Sequence, residues 1–277
     1  MPYVTVGQEN TEPIEIYYED HGEGTPVVLI HGFPLGGQSW EKQVAALRAE
    51  GHRIVTMDRR GFGKSSQPGS GYNYDRFAAD FNLLMEELDL HDAVLVGHSM
   101  GTGEVTRYLS HYGSDRVSRA VLLSPLQPFL LKTGDNPEGV DRSLFEGFKK
   151  TILADRPLYI KQFFDAFFNY EQNKGTRVSE EAWQLHFNVG VTASPIGTYE
   201  SVDAWLTDFR DDVGKIDVPV LCVQGTADNV LPFESTGKRL PPLVKDLKLV
   251  PLEGAPHGIP WTHADEVNAA IKDFMNE

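Results

Sequence analysis

The chain has 277 residues, of which 40% are hydrophobic, so it can bury one large α/β core and still has room for an insertion. Its 40 acidic and 25 basic residues give a formal net charge of −15, which argues against nucleic acid or an anionic membrane surface as a partner. The opening residues lack the basic and apolar regions of a secretion signal, and no segment approaches the roughly 18 apolar residues of a membrane span. We therefore expect a cytoplasmic protein.

Short apolar segments rich in β-branched residues predict the strands. The opening segments PYVTVG and IEIYYED alternate apolar and polar residues, which is typical of an antiparallel hairpin at a sheet edge. Nearly continuous apolar segments indicate parallel strands that are buried on both faces, and these are TPVVLI (25–30), HRIVTM (52–57), DAVLVG (92–97), VSRAVLL (117–123) and VPVLCV (218–223). Helical patterns separate the early strands at 40–50, 74–88 and 101–112. This alternation predicts a doubly wound, mostly parallel α/β sheet.

The alternation of strands and helices stops for about ninety residues in the middle of the chain. Residues 124–215 contain no convincing buried strand, and many of their aromatic residues lie in helical surroundings. We predict a core formed by 1–123 and 216–277, with 124–215 inserted as a helical cap. Most of these aromatic residues should pack in the interior, while others line an apolar pocket. They are Phe129, Phe145, Phe148, Phe163, Phe164, Phe167, Phe168, Trp183, Phe187 and Trp205.

A G-x-S-x-G motif, residues 97–101, lies between the predicted strand DAVLV and the helical pattern that follows. The motif alone is weak evidence, because any Gly-Ser turn can match it. In a strand–turn–helix context, however, it is typical of a nucleophile elbow, in which small residues allow the strand and helix to approach and the serine projects above the sheet. Ser99 is therefore the candidate nucleophile.

A serine hydroxyl needs an adjacent base, and that base needs a third group to orient it. In this type of fold the partners follow in the order serine, acid, histidine. Asp228 comes shortly after the strand VPVLCV, and His257 lies in the turn-rich segment LEGAPHGIP after the apolar segment LKLVPL (247–252). They are the candidate acid and base, and the weaker alternatives to Asp228 near the cap boundary are Asp203, Asp208 and Asp217.

A tetrahedral intermediate needs hydrogen-bond donors for its oxyanion. One should be the backbone N–H of Met100, which follows the nucleophile, and the other should come from the loop after the strand TPVVLI, most plausibly from Phe33. The Phe33 ring could either line the acyl pocket or simply pack in the interior. His31 and His98 flank the predicted site, and we interpret them as residues that hold loops through hydrogen bonds.

Other features of the sequence indicate structural roles. Residues 58–66, DRRGFGKSS, lack the spacing of a phosphate-binding loop, so we interpret them as a loop held together by its charges. Cys222 is the only cysteine and lies in an apolar strand, which predicts a buried, unreactive thiol and excludes an intrachain disulfide. No motif or carboxylate cluster has metal-ligand spacing, so we expect neither a metal nor another cofactor.

The sequence also resembles a known family, the cofactor-free bacterial haloperoxidases of the α/β-hydrolase fold, with the related aryl esterases, perhydrolases and γ-lactamases. The similarity extends nearly from end to end. The segments that carry it are VVLIHGFPL (27–35), DRRGFGKSSQP (58–68), GHSMGTGEV (97–105), PFLLKTGDNPEGV (128–140) and GAPHGIPWTHADEVNAAI (254–271). The chain departs from the halogenating members at His98, where they usually have Phe, and follows the family pattern only loosely between residues 183 and 203.

The resemblance implies a triad of Ser99, Asp228 and His257, an oxyanion hole from Phe33 and Met100, no prosthetic group, and often a homotrimer. It predicts a serine hydrolase for small-molecule acyl substrates, namely small carboxylic esters or lactones and γ-lactams, with hydrogen peroxide as a co-substrate that gives peracids. A peracid can oxidise halide without any metal. The alternative is a protein of this fold that retains the triad but acts as a small-ligand receptor, and repeated turnover of an aryl ester would exclude it.

Overall fold

The sheet has eight strands in the part of the chain that the structure, a computed structural model, describes, residues 2–277. The strands are β1 (Tyr3–Glu9), β2 (Glu12–His21), β3 (Pro26–Ile30), β4 (Arg53–Met57), β5 (Ala93–His98), β6 (Val117–Leu123), β7 (Val220–Gly225) and β8 (Leu247–Leu252). Their spatial order is β1-β2-β4-β3-β5-β6-β7-β8. The pairs β1–β2 and β2–β4 are antiparallel and the remaining pairs are parallel, so the predicted mixed sheet and its antiparallel hairpin are confirmed.

Helices cover both faces of this sheet. They are α1 (Glu41–Ala49), α2 (Tyr74–Glu87), α3 (Met100–Tyr112), α4 (Arg142–Phe168), α5 (Tyr170–Asn173), α6 (Glu180–Val191), α7 (Pro195–Ala204), α8 (Arg210–Val213), α9 (Ile259–Thr262) and α10 (Ala264–Met275). Helices α1 and α10 bury Leu47, Val267 and Ile271 against one face, and α2 and α3 pack on the other. The predicted helices at 40–50, 74–88 and 101–112 therefore exist, with ends shifted by one residue.

Two hydrophobic cores result from the alternation of side chains along each strand. In β3, Val27 and Leu29 pack on the side of α1 and α10, whereas Val28 and Ile30 pack on the side of α2 and α3. Because both faces of the central strands are covered, their sequences read as continuous apolar segments without a polar face.

Five helices, α4 to α8, lie between β6 and β7. Residues 124–141 form a loop, and the helical part begins at Arg142. The backbone of α4 breaks at Asp155, which has non-helical φ and ψ of −158° and 88°, two residues before Pro157. The short helix α8 packs beside α3. The division of the chain into a core and a cap at residues 124 and 215 stays a prediction.

The strand order places a switch point at the centre of the sheet. Strand β3 has β4 on one side and β5 on the other, so the chain extends the sheet in opposite directions from β3. In open α/β sheets, ligands bind outside the carboxyl ends of the strands at such a point. The segments that follow β3 and β5 therefore meet where a site is expected. No helix within residues 2–277 is long and apolar enough to cross a membrane.

Candidate active site

Ser99 occupies a strained turn between β5 and α3. Its φ of 53° and ψ of −120° lie outside the regions that side chains other than glycine usually adopt. The backbone N–H and the hydroxyl of Thr102 both donate to the Ser99 carbonyl, at 2.9 Å and 2.6 Å. A Cβ at Gly97 would lie 2.6 Å from the Gly101 carbonyl oxygen, and one at Gly101 would collide with the Ile30 carbonyl. The two motif glycines are therefore required by the close approach of strand and helix.

Ser99, His257 and Asp228 form a continuous hydrogen-bonded chain. The Ser99 Oγ donates to His257 Nε2 at 2.8 Å, and His257 Nδ1 donates to Asp228 Oδ2 at 2.7 Å. The exposed fraction is only 6% for Ser99, 0% for His257 and 5% for Asp228. The three predicted residues are thus brought together from three separate loops at the carboxyl edge of the sheet, in the geometry that activates a serine.

Asp228 accepts hydrogen bonds from three donors in addition to His257 Nδ1. Its Oδ1 accepts from the N–H groups of Val230 and Leu231 at 2.9 Å and 2.8 Å. Its Oδ2, which faces His257, also accepts a long hydrogen bond of 3.4 Å from the Gln224 side chain. These bonds fix one carboxylate oxygen in its own turn and direct the other to the imidazole.

The loop that carries His257 is anchored through its backbone. The Ser124 hydroxyl and the His98 Nε2 both donate to the His257 carbonyl, each at 3.1 Å. The next N–H, that of Gly258, donates to the Phe167 carbonyl in α4 at 2.8 Å. The proposed base therefore depends for its position on β5, on the end of β6 and on the helices that follow β6.

The two candidate oxyanion donors lie beside Ser99 in one cavity. Met100 is the first residue of α3, so its N–H has no intrahelical acceptor. For the Phe33 N–H, we find no acceptor among residues 2–277. Both N–H groups are consequently available for an oxygen at the wall of the cavity, and their role as donors stays a prediction.

An apolar cavity of about 590 Å³ opens at Ser99. The Phe33 ring lines the cavity and also packs edge-to-face on Phe163 and Trp205. It therefore has both of the roles considered from the sequence, the pocket wall and the interior packing. Among the aromatic residues between β6 and β7, those that line the cavity are Phe145, Phe148, Tyr159, Phe163 and Trp205. By contrast, Phe164 and Phe168 pack around the buried His186 in the interior.

His31 and His98 hold loops, as predicted. His31 Nε2 accepts from the Arg59 N–H at 3.0 Å, and His31 Nδ1 donates to the Gly32 carbonyl at 2.8 Å. Burial holds the pKa of both His31 and His98 well below the usual histidine value, so both are neutral at physiological pH. A neutral His98 that donates to the His257 carbonyl is a support for the candidate base and does not compete with it.

The loop at residues 58–66 is indeed held by charges. Asp58 accepts from the N–H groups of Gly37 and Lys64, at 2.6 Å and 2.7 Å. Arg60 forms a bidentate ion pair with Asp80 in α2, at 2.5 Å and 2.7 Å. The neighbouring Arg59 pairs with a buried acid in α3.

The weaker acid candidates lie elsewhere. Asp203 pairs with Lys149, and Asp208 pairs with Arg210. Asp217 is exposed at the start of the segment that leads into β7. None of the three is the acid bonded to His257. Within residues 2–277, no three His, Cys, Asp or Glu side chains are grouped in a way that could hold a metal ion.

Two supporting residues were not identified from the sequence. Gln224 lies inside the apolar strand β7 and bonds to the Leu231 carbonyl at 2.8 Å, which shapes the Asp228 turn. Ser124 follows β6 with a positive φ of 46°. A polar residue inside or directly after a buried strand was the available signal for both of them.

A family model described as alpha/beta hydrolase fold matches residues 25–264, which span every part of the site described above. The chain therefore belongs to the α/β-hydrolase fold family, and the fold expected from its motifs is confirmed.

Individual relatives indicate which group within this family the chain resembles most specifically. A Synechocystis sp. protein with the provisional name non-heme chloroperoxidase is 60% identical over 275 residues, which cover 99% of this chain and 100% of the relative. A bifunctional esterase/perhydrolase of Acinetobacter calcoaceticus is 35% identical and covers 99% of both chains. The crystal structure of a bromoperoxidase from Bacillus anthracis superposes with a TM-score of 0.95 at 44% identity and covers 99% of both chains. The resemblance to the cofactor-free haloperoxidase and perhydrolase group is thereby confirmed.

Proposed function

We propose that the protein hydrolyses small carboxylic esters through an acyl-enzyme on Ser99 and transfers short acyl groups to hydrogen peroxide in a second branch of the same reaction. The observation that carries this proposal is the chain of hydrogen bonds from Ser99 through His257 to Asp228, at 2.8 Å and 2.7 Å, at the wall of an apolar cavity. Relatives named as esterase, perhydrolase and haloperoxidase support both branches.

Acylation follows from this geometry. His257 Nε2 takes the Ser99 proton as Oγ attacks the carbonyl carbon, and Asp228 stabilises the imidazolium that forms. The Phe33 and Met100 N–H groups donate hydrogen bonds to the developing oxyanion. The imidazolium then gives its proton to the leaving group, which is the alkoxide of an ester or the hydroxide of a short carboxylic acid that departs as water, and the acyl group remains on Ser99.

Deacylation determines the product. When water attacks, His257 removes a proton from it and returns that proton to Ser99 Oγ as the bond between the acyl carbon and Oγ breaks, and the acid leaves. When hydrogen peroxide attacks in the same way, the product is a peracid. A peracid transfers one oxygen to bromide and becomes the carboxylic acid, so halide oxidation takes place without an electron-transfer group in the chain.

Residues 124–215 are proposed to act as a cap that determines which acyl group fits. More than half of the residues that line the cavity belong to α4, and the Gly258 N–H bond to Phe167 ties this helix to the base loop.

The family resemblance supports a homo-oligomer, which light scattering on the purified protein tests.

Steady-state hydrolysis of 4-nitrophenyl acetate by wild type and Ser99→Ala tests the first branch. We expect many turnovers for wild type and a loss in kcat of about 10⁴–10⁶-fold for the variant. A Ser99→Ala protein that retains a tenth of wild-type turnover would contradict the nucleophile assignment. A single burst with retained product in wild type would instead favour a ligand receptor.

Bromination in buffers with and without acetate tests the peroxide branch. Because the oxidant is a peracid, halogenation should need hydrogen peroxide together with a short carboxylic acid, and it should disappear in Ser99→Ala. Robust bromination in a buffer free of carboxylic acid would exclude the peracid route and leave ester hydrolysis untouched.

A further inference from the structure

A buried ion pair, Arg59 with Glu104, connects the two segments that carry the proposed oxyanion donors. Arg59 Nε donates to Glu104 Oε1, and both side chains are almost fully shielded from solvent. Arg59 lies in the loop after β4, whereas Glu104 lies in α3, about one helical turn after Met100. The proposed chemistry uses neither side chain.

Arg59 holds the segment that precedes the first donor, Phe33. Its Nη2 donates to the His31 carbonyl at 2.7 Å, and its backbone N–H donates to the His31 ring at 3.0 Å. The other ring nitrogen of His31 donates to the Gly32 carbonyl at 2.8 Å. Arg59 therefore restrains the two residues directly before Phe33 from both the main chain and the side chain.

Glu104 is rigidly connected to the second donor, Met100, because both lie in α3. Tyr74 fixes the start of this helix by donating its hydroxyl to the Met100 carbonyl at 3.1 Å. The helix also touches the end of β3, since a Cβ at Gly101 would collide with the Ile30 carbonyl. A link from Glu104 to Arg59 thus fixes α3 relative to the segment that carries Phe33.

Stability alone does not account for this pair. Removing two charges from water is costly, and the cost is recovered only when every polar atom of the pair finds a partner. Within residues 2–277, the buried Arg59 Nη1 and Glu104 Oε2 have no hydrogen-bond partner. Burial lowers the pKa of Arg59 to about 10, so its guanidinium remains charged at neutral pH. An ion pair with these unpartnered atoms is an inefficient way to stabilise the fold.

We propose that Arg59 and Glu104 are positioning residues that set the separation of the Phe33 and Met100 N–H groups, and thereby the fit of the oxyanion. This inference rests on the proposed acyl transfer at Ser99. The oxyanion exists only during the reaction, so an error in the separation should weaken binding of the transition state and leave binding of the ester unchanged.

The chain provides a matched control in Arg60 and Asp80. This neighbouring pair is also buried and joins the same loop to α2 instead of α3. It makes no hydrogen bond to the residues next to Phe33 or Met100 in the part of the chain that the structure describes. Glu104→Gln and Asp80→Asn each remove one buried carboxylate charge. The first weakens the link between the loop after β4 and α3, and the second weakens the link between the same loop and α2.

The experiment compares these variants with wild type in ester hydrolysis, in thermal unfolding and in inhibition by a phenylboronic acid, whose tetrahedral adduct on serine imitates the intermediate. Glu104→Gln should lower kcat by about 10- to 100-fold, the range expected for a displaced catalytic group, and should weaken the boronic acid by a similar factor. Its KM should stay within about twofold of wild type, which is the pattern for an interaction made only in the transition state. Asp80→Asn should lower the melting temperature comparably and leave kcat within about twofold.

Equal values of kcat for Glu104→Gln and Asp80→Asn would overturn the proposal, as would a rise in KM with kcat unchanged. Arg59→Lys, which keeps the charge opposite Glu104 but lacks Nη2, gives an independent test if Glu104→Gln does not fold, and it should show the same selective loss in kcat. Retained kcat in Arg59→Lys would overturn the proposal. Wild-type turnover that disappears in Ser99→Ala tests the underlying function separately.

Discussion

The two oxygens of Asp228 have different partners, and this difference predicts the effect of an amide. In Asp228→Asn, the Val230 and Leu231 N–H groups should retain an oxygen at the position of Oδ1, so the amide NH2 would face His257 Nδ1. An amide donor there favours the imidazole tautomer that cannot accept the Ser99 proton. We expect kcat for an aryl ester to fall by about 10⁴-fold with little change in the melting temperature.

Asp203→Asn, which changes an exposed acid paired with Lys149, is the control for this measurement. Full activity of the Asp228→Asn protein would show that another acid orients His257.

Cys222 should be unreactive in the folded protein. It is fully buried in β7, and desolvation raises the pKa of its thiol to about 12. Only about 10⁻⁴ of such a thiol is ionised at pH 8, and the thiolate is the reactive form. Ellman's reagent should therefore detect no thiol at pH 8 until guanidinium is added, and then one thiol per chain. Rapid labelling of the folded protein would contradict this expectation.

Sequence reasoning selected Ser99, Asp228 and His257, which the structure joins by hydrogen bonds, because these residues have strong local signals. Ser99 lies in a motif between a strand and a helix, and His257 is framed by glycines and prolines that neither a helix nor a core would use. The ion pair of Glu104 with Arg59 has no comparable signal in the sequence. A charged residue on the buried side of a helix indicates a partner, but only the folded chain shows that Arg59 is that partner and that it also bonds to His31.

At the level of elements, the contact between α3 and β3 should be the least tolerant of added volume. In Gly101→Ala, the new methyl group would collide with the Ile30 carbonyl, which cannot move without displacing β3. We expect a loss of about 1–3 kcal/mol in the free energy of unfolding and a fall in kcat, because α3 begins at Met100, the proposed oxyanion donor. Urea denaturation and ester hydrolysis measure the two effects.

Gly147→Ala in α4 is the matched control for the stability measurement. A Cβ at this position meets nothing within 4 Å beyond its own chain neighbours and the nearby backbone of α4. Since alanine has the higher helix propensity, this variant should gain about 0.5–1 kcal/mol. A Gly101→Ala protein as stable and as active as wild type would show that the backbone contact is not tight.

The boundaries of the strands and helices were predicted well where buried strands alternate with helices, whereas between β6 and β7 the sequence predicted a helical region without the bounds of its individual helices. Continuous apolar segments such as 117–123 are long enough to define a strand by themselves. In the middle of the chain, an aromatic residue at helical spacing has the same pattern whether it lines a cavity, as Phe163 does, or packs in the interior, as Phe164 does. Only the packing of the helices separates these two cases.

At the scale of the whole molecule, buried histidines should make stability depend on pH. Burial lowers the pKa of His186 to about 4 and holds those of His31 and His98 well below the usual value of 6.5. Below pH 6.5 the unfolded chain therefore binds more protons than the folded chain at these sites. The free energy of unfolding should be unaffected by them above pH 6.5, and each should lower it by up to about 1.4 kcal/mol per pH unit between pH 6.5 and its pKa in the folded protein.

His186→Asn isolates one of these contributions, because an amide can still donate to the Ala182 carbonyl that now accepts from Nδ1. The difference in unfolding free energy between wild type and variant should shrink as the pH falls from 6.5 to 4.5. Urea titrations across this range measure it. A difference that does not change with pH would mean that His186 binds its proton as readily in the folded protein as in the unfolded chain.

The break in α4 at Asp155 has a consequence for how this protein can diverge. The cavity is lined by residues from both halves of that helix, such as Phe148 before the break and Phe163 after it, while Ser99, Asp228 and His257 all lie in turns at the sheet edge. Mutations of cavity-lining side chains such as these can thus change which acyl group fits while the bond from the Gly258 N–H to the Phe167 carbonyl, which anchors the His257 loop, stays in place. Descendants of one ancestral gene could in this way inherit the same chemistry and acquire different substrates.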